Sequence, residues 1–157
     1  MIKIDNQFIE ETSQKAKKSV RRRMNYNFHS NADDTMHRML NAMEPDTYIQ
    51  PHKHENPDKS EAFFCLRGRL LVVEFSDEGK ITDYIILDPQ KGNFGCEILP
   101  RVWHSIISLQ NGSVAYEVKD GPYNPDDDKH FASWAPAEGD PDALLFNQKR
   151  LEELGVE

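Results

Sequence analysis

The sequence predicts an all-β, single-domain β-barrel with an N-terminal helix and a short C-terminal helix. Three observations carry this. The chain has 157 residues, enough for one domain with its own core and too few for two. Between residues 36 and 120, short runs of β-branched and aromatic residues alternate with Gly, Pro, Asn and Asp, as in sandwiches and barrels. Within that series stand histidines and a glutamate at strand-like spacing, which gives the barrel something to enclose.

Residues 5–20 read as an amphipathic helix. Ile4, Phe8, Ala16 and Val20 recur every four residues, with Thr12 filling the gap. Asp5 is the expected N-cap, and Lys15, Lys17 and Lys18 fall late, where they complement the helix dipole. Residues 1–35 thus form a helix and arm that pack on the barrel. The expected strands are 36–43, 48–54, 61–66, 69–75, 81–87, 94–99, 103–109 and 113–118, so the barrel proper spans 36–120. Asn111-Gly112 reads as a hairpin turn. Residues 121–157 form a turn-rich loop and a closing helix, with Asp140-Pro141 as its N-cap and first position.

Nineteen Lys and Arg against 27 Asp and Glu give a net charge of −8, which makes nucleic acid and anionic membranes poor partners. The basic run 15–23 reads as a solvated helix end. Cys65 and Cys96 show no paired spacing and sit in apolar runs, as buried thiols do. The N-terminus lacks an apolar signal region, and no stretch reaches membrane-spanning length, so a cytoplasmic location is the expectation. Exposed barrel edges favour a homodimer.

The chemistry lies in Pro51-His-Lys-His-Glu-Asn-Pro-Asp-Lys-Ser-Glu61. Residues i and i+2 of a strand share a face, so His52 and His54 converge if that face is the barrel interior. Asn56-Pro57-Asp58 reverses the chain and returns Glu61, and His104 arrives on a later strand. Neutral imidazole suits zinc, copper, iron and nickel, and the carboxylate adds charge and oxygen character, so the expectation is one divalent ion, Zn, Fe, Mn or Ni. Three neutral histidines and one glutamate leave such an ion with positive charge in excess and with open positions if it is octahedral. That favours an anionic or chelating ligand. His29, His37 and His130 taken singly read as ordinary polar residues.

His52-x-His54-x6-Glu61-x6-Gly68 resembles the first motif of the cupin (jelly-roll) superfamily, and Gly95-x4-Pro100-x3-His104 resembles the second. Two departures stand out. The loop before Glu61 is longer than usual, which leaves Glu61 either a ligand or a catalytic base, and Arg101-Val-Trp replaces the usual P-x-G turn. Arg22–His29, Arg38–Met43, Tyr48–His54, Leu66–Arg69, Val118–Tyr123 and Asp128–Gly139 resemble the WbuC family of cupin-fold metalloproteins. This implies one divalent metal ion in a bacterial protein of O-antigen and surface-polysaccharide gene clusters, but no reaction.

Around that centre, Arg23, Asn27 and His29 are candidate substrate-binding residues at the barrel mouth, or else an edge strand. Lys59 is a candidate anion ligand, or else an exposed loop lysine. Tyr123, Lys129 and Trp134 are candidates for a lid over a sugar face; Trp134 and Phe131 equally could pin the tail onto the barrel, which is the expectation for Phe131. Trp103 points away from His104 into packing. Three functions follow: a metal-dependent isomerase, epimerase or lyase acting on a sugar or sugar nucleotide, an iron-dependent dioxygenase, or a non-catalytic sugar-binding module.

Overall fold

The computed structural model describes residues 1–156. After α1 (Asn6–Lys18) the strands are β1 (Arg23–Asn27), β2 (Met36–Met43), β3 (His52–Lys53), β4 (Glu61–Arg67), β5 (Leu70–Phe75), β6 (Ile81–Leu87), β7 (Gly95–Ile98), β8 (Trp103–Ser108), β9 (Ser113–Asp120) and β10 (His130–Phe131), and α2 (Ala143–Leu154) closes the chain. They form two five-stranded antiparallel sheets, ordered β1-β2-β9-β4-β7 and β10-β3-β8-β5-β6. No described helix is long and apolar enough to cross a membrane.

Strand alternation divides the interior into two halves. At one end the inward positions are apolar: Met43, Phe63, Cys65, Leu70, Val72, Leu87, Ile98, Ile106 and Ala115 form the core between the sheets. At the other end the same strands place His37, Met39 and Asn41 of β2 and Glu117 and Lys119 of β9 around a cavity. The apolar half provides the burial that holds the sheets together. The polar half is left open.

Helix α1 lies on the outer face of the first sheet. The Asp5 side chain accepts from the Phe8 N–H at 3.0 Å, as an N-cap should. Ile9 and Ala16 pack against Leu40, Ala42 and Val114. Val20, expected on the buried stripe, is instead fully exposed at 101%, because the helix ends at Lys18 and the chain turns at Ser19. Helix α2 covers the second sheet, with Leu151 and Leu154 against Leu71, Val73, Phe75 and Ile107. Trp134 packs with Phe75, Trp103 and Phe146 in that layer, so it pins the tail and does not act as a lid.

The Asn111-Gly112 turn is not a hairpin. β8 pairs with β3 and β5, whereas β9 pairs with β2 and β4, so the turn carries the chain from one sheet to the other. Gly68 makes the opposite crossing, from β4 to β5, at a φ of +83°, where a Cβ would lie 2.3 Å from Ser113 Oγ. Gly68→Ala is therefore expected to cost about 2 kcal/mol or more, read as a lower urea midpoint at unchanged slope.

Candidate metal centre

His52 lies on β3 directly opposite His104 on β8. His54 follows two residues later, its carbonyl accepting the Arg101 N–H at 2.9 Å. The intervening side chains face outwards: Lys53 Nζ lies 4.7 Å from the Trp103 ring centroid. Glu61 opens β4 in the other sheet, so the group bridges the two sheets. The four side chains are all but inaccessible, and each offers one donor atom within 4.8 Å of the others. Donors sharing one ion at about 2.1 Å stand roughly 3–4 Å apart.

The hydrogen bonds around the imidazoles fix their tautomers. His52 Nδ1 lies 2.9 Å from the Gln50 carbonyl, His104 Nδ1 lies 2.9 Å from the Val102 carbonyl, and His54 Nδ1 meets the Asp128 carbonyl. A carbonyl only accepts, so each Nδ1 carries the hydrogen and each Nε2 turns a lone pair inwards. His54 Nε2, His104 Nε2 and Glu61 Oε1 are buried and have no hydrogen-bond partner among the described residues. Yet Glu61 Oε1 stands 3.5 Å from His54 Nε2 and closer still to His104 Nε2. Facing lone pairs with no proton between them call for a cation, so the donor set fits a divalent ion.

The electrostatics agree. Burial, aided by Lys129 and His104, holds His52 well below the usual imidazole value and hence neutral, the form that ligates. Burial pushes the Glu61 carboxyl up, and it is held well below its ordinary value only by positive charge on the side of His104, His54 and His52, which with neutral imidazoles falls to the ion they would hold. The longer loop before Glu61 brings the carboxylate into the group all the same. Both thiols, by contrast, are pushed up to about 11, chiefly by burial, and are unreactive.

A cavity of about 600 Å³ adjoins the four donors. The donors lie behind its wall. Asp128 contacts His54, and the Phe131 ring lies 6.1 Å from that of His52. Arg23, Asn27, His29 and Tyr123 all line the cavity. His29 stacks on His37 at 4.0 Å, and Arg23 reaches the Tyr48 carbonyl at 2.7 Å and Glu138 at 2.7 Å. Phe131, expected to pin the tail, is 55% exposed and forms cavity wall.

Lys59 is neither an exposed loop lysine nor a wall residue. At 2% exposure it donates to Asp128 Oδ1 at 2.8 Å and to the Pro122 carbonyl at 2.5 Å, while Lys119 takes Asp128 Oδ2 at 2.6 Å. It clamps the long 55–60 loop onto the chain that follows β9. Glu117, Lys119 and Asn41 were absent from the sequence candidates. Their signal was there: polar residues in phase with the apolar inward positions Met39, Met43 and Ala115 of the same strands.

Two outcomes follow. His104→Ala or His52→Ala is expected to lower metal content from about one ion per chain to near zero by elemental analysis, with the far-ultraviolet circular dichroism retained. Lys59→Met is expected to destabilise the fold by about 2 kcal/mol in urea unfolding.

Residues 4–87, more than half of the chain, match a protein family described as a domain of unknown function, DUF6016. No curated protein matches the sequence. Among solved structures, the chain resembles a mutant L-ribose isomerase from Acinetobacter sp. DL28 in complex with L-ribose at TM-score 0.55 and 12% identity, over 71% of this chain and 70% of that one. KdgF from Halomonas sp. is similar at TM-score 0.51 and 13% identity, over 66% and 83% of the two chains. The capsular polysaccharide assembling protein CapF from Staphylococcus aureus gives TM-score 0.53 and 15% identity, over 69% of this chain and 31% of its own. At such identities the likeness is one of fold. The two sheets, their crossing turns and these neighbours together identify a cupin jelly-roll, and the chain belongs to the DUF6016 family.

Proposed function

We propose that this protein is a metal-dependent enzyme acting on a sugar or sugar nucleotide by isomerase, epimerase or lyase chemistry, in bacterial surface-polysaccharide (O-antigen) biosynthesis. The observation that carries the reading is the set of buried, partnerless donor atoms beside a polar cavity large enough for a sugar. The WbuC-like segments and the capsular and ribose-isomerase neighbours support the sugar setting.

His52, His54, His104 and Glu61 would hold the ion, which supplies Lewis acidity towards a hydroxyl or carbonyl oxygen. With Glu61 among the donors, proton transfer falls to another carboxyl. Glu117 lines the cavity, and its Oε2 accepts from Asn41 Nδ2 at 2.9 Å, leaving Oε1 free. Burial and the charge of Glu61 raise its pKa against the pull of Lys129 and Lys119, so Oε1 holds a proton at higher pH than an ordinary carboxylate. Asn27, His29, Arg23 and Tyr123 line the cavity and would bind hydroxyl groups of the substrate. Phe64 and Leu66 of β4, with Phe94 and Leu99 beside the edge strand β7, are exposed and support a homodimer.

The test is turnover by the metal-loaded protein across a panel of sugars and nucleotide sugars. A converted product is expected, together with a fall of about 100-fold in kcat for Glu117→Gln at little change in KM. Oxygen uptake by the ferrous protein would replace this reading with a dioxygenase. A tight sugar complex whose ligand is recovered unchanged would replace it with a binding module.

A further inference from the structure

The whole chain carries −8, yet the walls of its cavity and the clamp behind them carry a positive excess. Arg21 and Arg23 share one carboxylate, Glu138, and Lys59 and Lys119 share another, Asp128. Each pairing leaves one positive charge over. Glu117 also lines the cavity, its Oε2 accepting from Asn41, and one carboxylate does not cancel the excess. In an acidic protein such a pocket is a local reversal of the molecule's field, and low-dielectric walls strengthen it.

Lys129 adds a further positive charge to the same walls. It lines the cavity wall and is exposed there. The flanking residues are occupied: Asp128 by two other lysines, and His130 by the Glu55 carbonyl at 2.7 Å. Among the described residues the Lys129 ammonium has no ion pair, although Glu61 and Glu117 lie near enough to influence it. A cation on a cavity wall with no fixed counter-ion is free to pair with the charged group of a ligand. The carbonyl of its chain neighbour Asp128 meets His54, which puts residue 129 beside the donor cluster.

We infer that the cavity binds an anionic polyol, a sugar acid or sugar phosphate, whose charged group is taken by Lys129 while its hydroxyl groups face the metal centre. This rests on the reading of the cavity as the substrate chamber and narrows its occupant from sugars in general to charged ones. It also accounts for Lys129 without giving it a structural partner. The remaining wall chemistry suits the polyol part: amide groups of Asn25 and Asn27 and the stacked rings of His29 and His37 offer hydrogen bonds without further charge.

The test is titration calorimetry of the full-length metal-loaded protein with glucose, glucuronate and glucose 6-phosphate. At least one anion is expected to bind about tenfold more tightly than glucose, and the better of the two identifies carboxylate or phosphate as the charged group. Lys129→Met is expected to remove that advantage while leaving metal content, circular dichroism and glucose binding unchanged, and Lys129→Arg to keep most of it. Equal affinity for all three sugars, no binding of either anion, or anion binding unaffected by Lys129→Met overturns the inference. Metal analysis of the same samples separates the two readings. Lys129-dependent anion binding by a protein that takes up no metal leaves the inference standing and sinks the proposed metal enzyme. Metal uptake without anion preference does the reverse.

Discussion

Three imidazole nitrogens and one carboxylate oxygen, all buried and all presenting lone pairs to one point, are the constraint around which this barrel is organised. Such an arrangement is unfavourable in an apolar interior unless a cation completes it. It persists because each ring is fixed from behind by a backbone carbonyl, two of them local (Gln50 and Val102) and one distant (Asp128). The local pair follows from strand geometry, in which a residue's ring reaches back two positions. The distant one requires the segment after β9 to lie against β3, and much of the remaining structure serves to keep it there.

That service is visible in the Lys59–Asp128–Lys119 cluster. Asp128 is buried, which raises its pKa, but the two lysines outweigh this and hold the carboxyl below its usual value. Its side chain therefore stays ionised and clamps two elements, β9 through Lys119 and the 55–60 loop through Lys59, while its backbone carbonyl orients His54. One residue thus ties the loop that delivers Glu61 to the ring of a second donor. Exchanging such a buried ionic cluster for apolar packing can be neutral for stability, but it would lose the fixed spacing between loop and ring.

Much of this was legible in the sequence. The strands at 36–43 and 81–87 have the expected bounds, because their alternating and β-branched patterns are set by local burial. His52, His54 and His104 could be grouped because a period of two and a register between neighbouring strands need no long-range knowledge. What could not be read depends on contacts far apart in sequence. Lys59 is a loop lysine by every local criterion, and only its meeting with Asp128, 69 positions on, makes it a core residue. The pairing of β10 with β3 puts Phe131 opposite His52 and makes it a wall, although two residues carry no periodic signal. Asn111-Gly112 has the composition of a hairpin turn, and nothing local states that its flanking strands belong to different sheets.

The polar half of the barrel follows from the same economy of strands. β2 and β9 contribute Met43 and Ala115 to the apolar core at one end and His37, Asn41, Glu117 and Lys119 to the cavity at the other, with no change of face along either strand. Alternation fixes which residues point inwards, and residue type alone decides whether that stretch becomes core or chamber. Inward polar residues left without water would destabilise the barrel, so a chamber open to solvent is what makes this composition foldable. Stability and function therefore have separate ends of the same strands. Substitutions among the chamber residues that keep their size should alter what the cavity holds more than whether the barrel forms, whereas changes at Met43 or Ala115 should do the opposite.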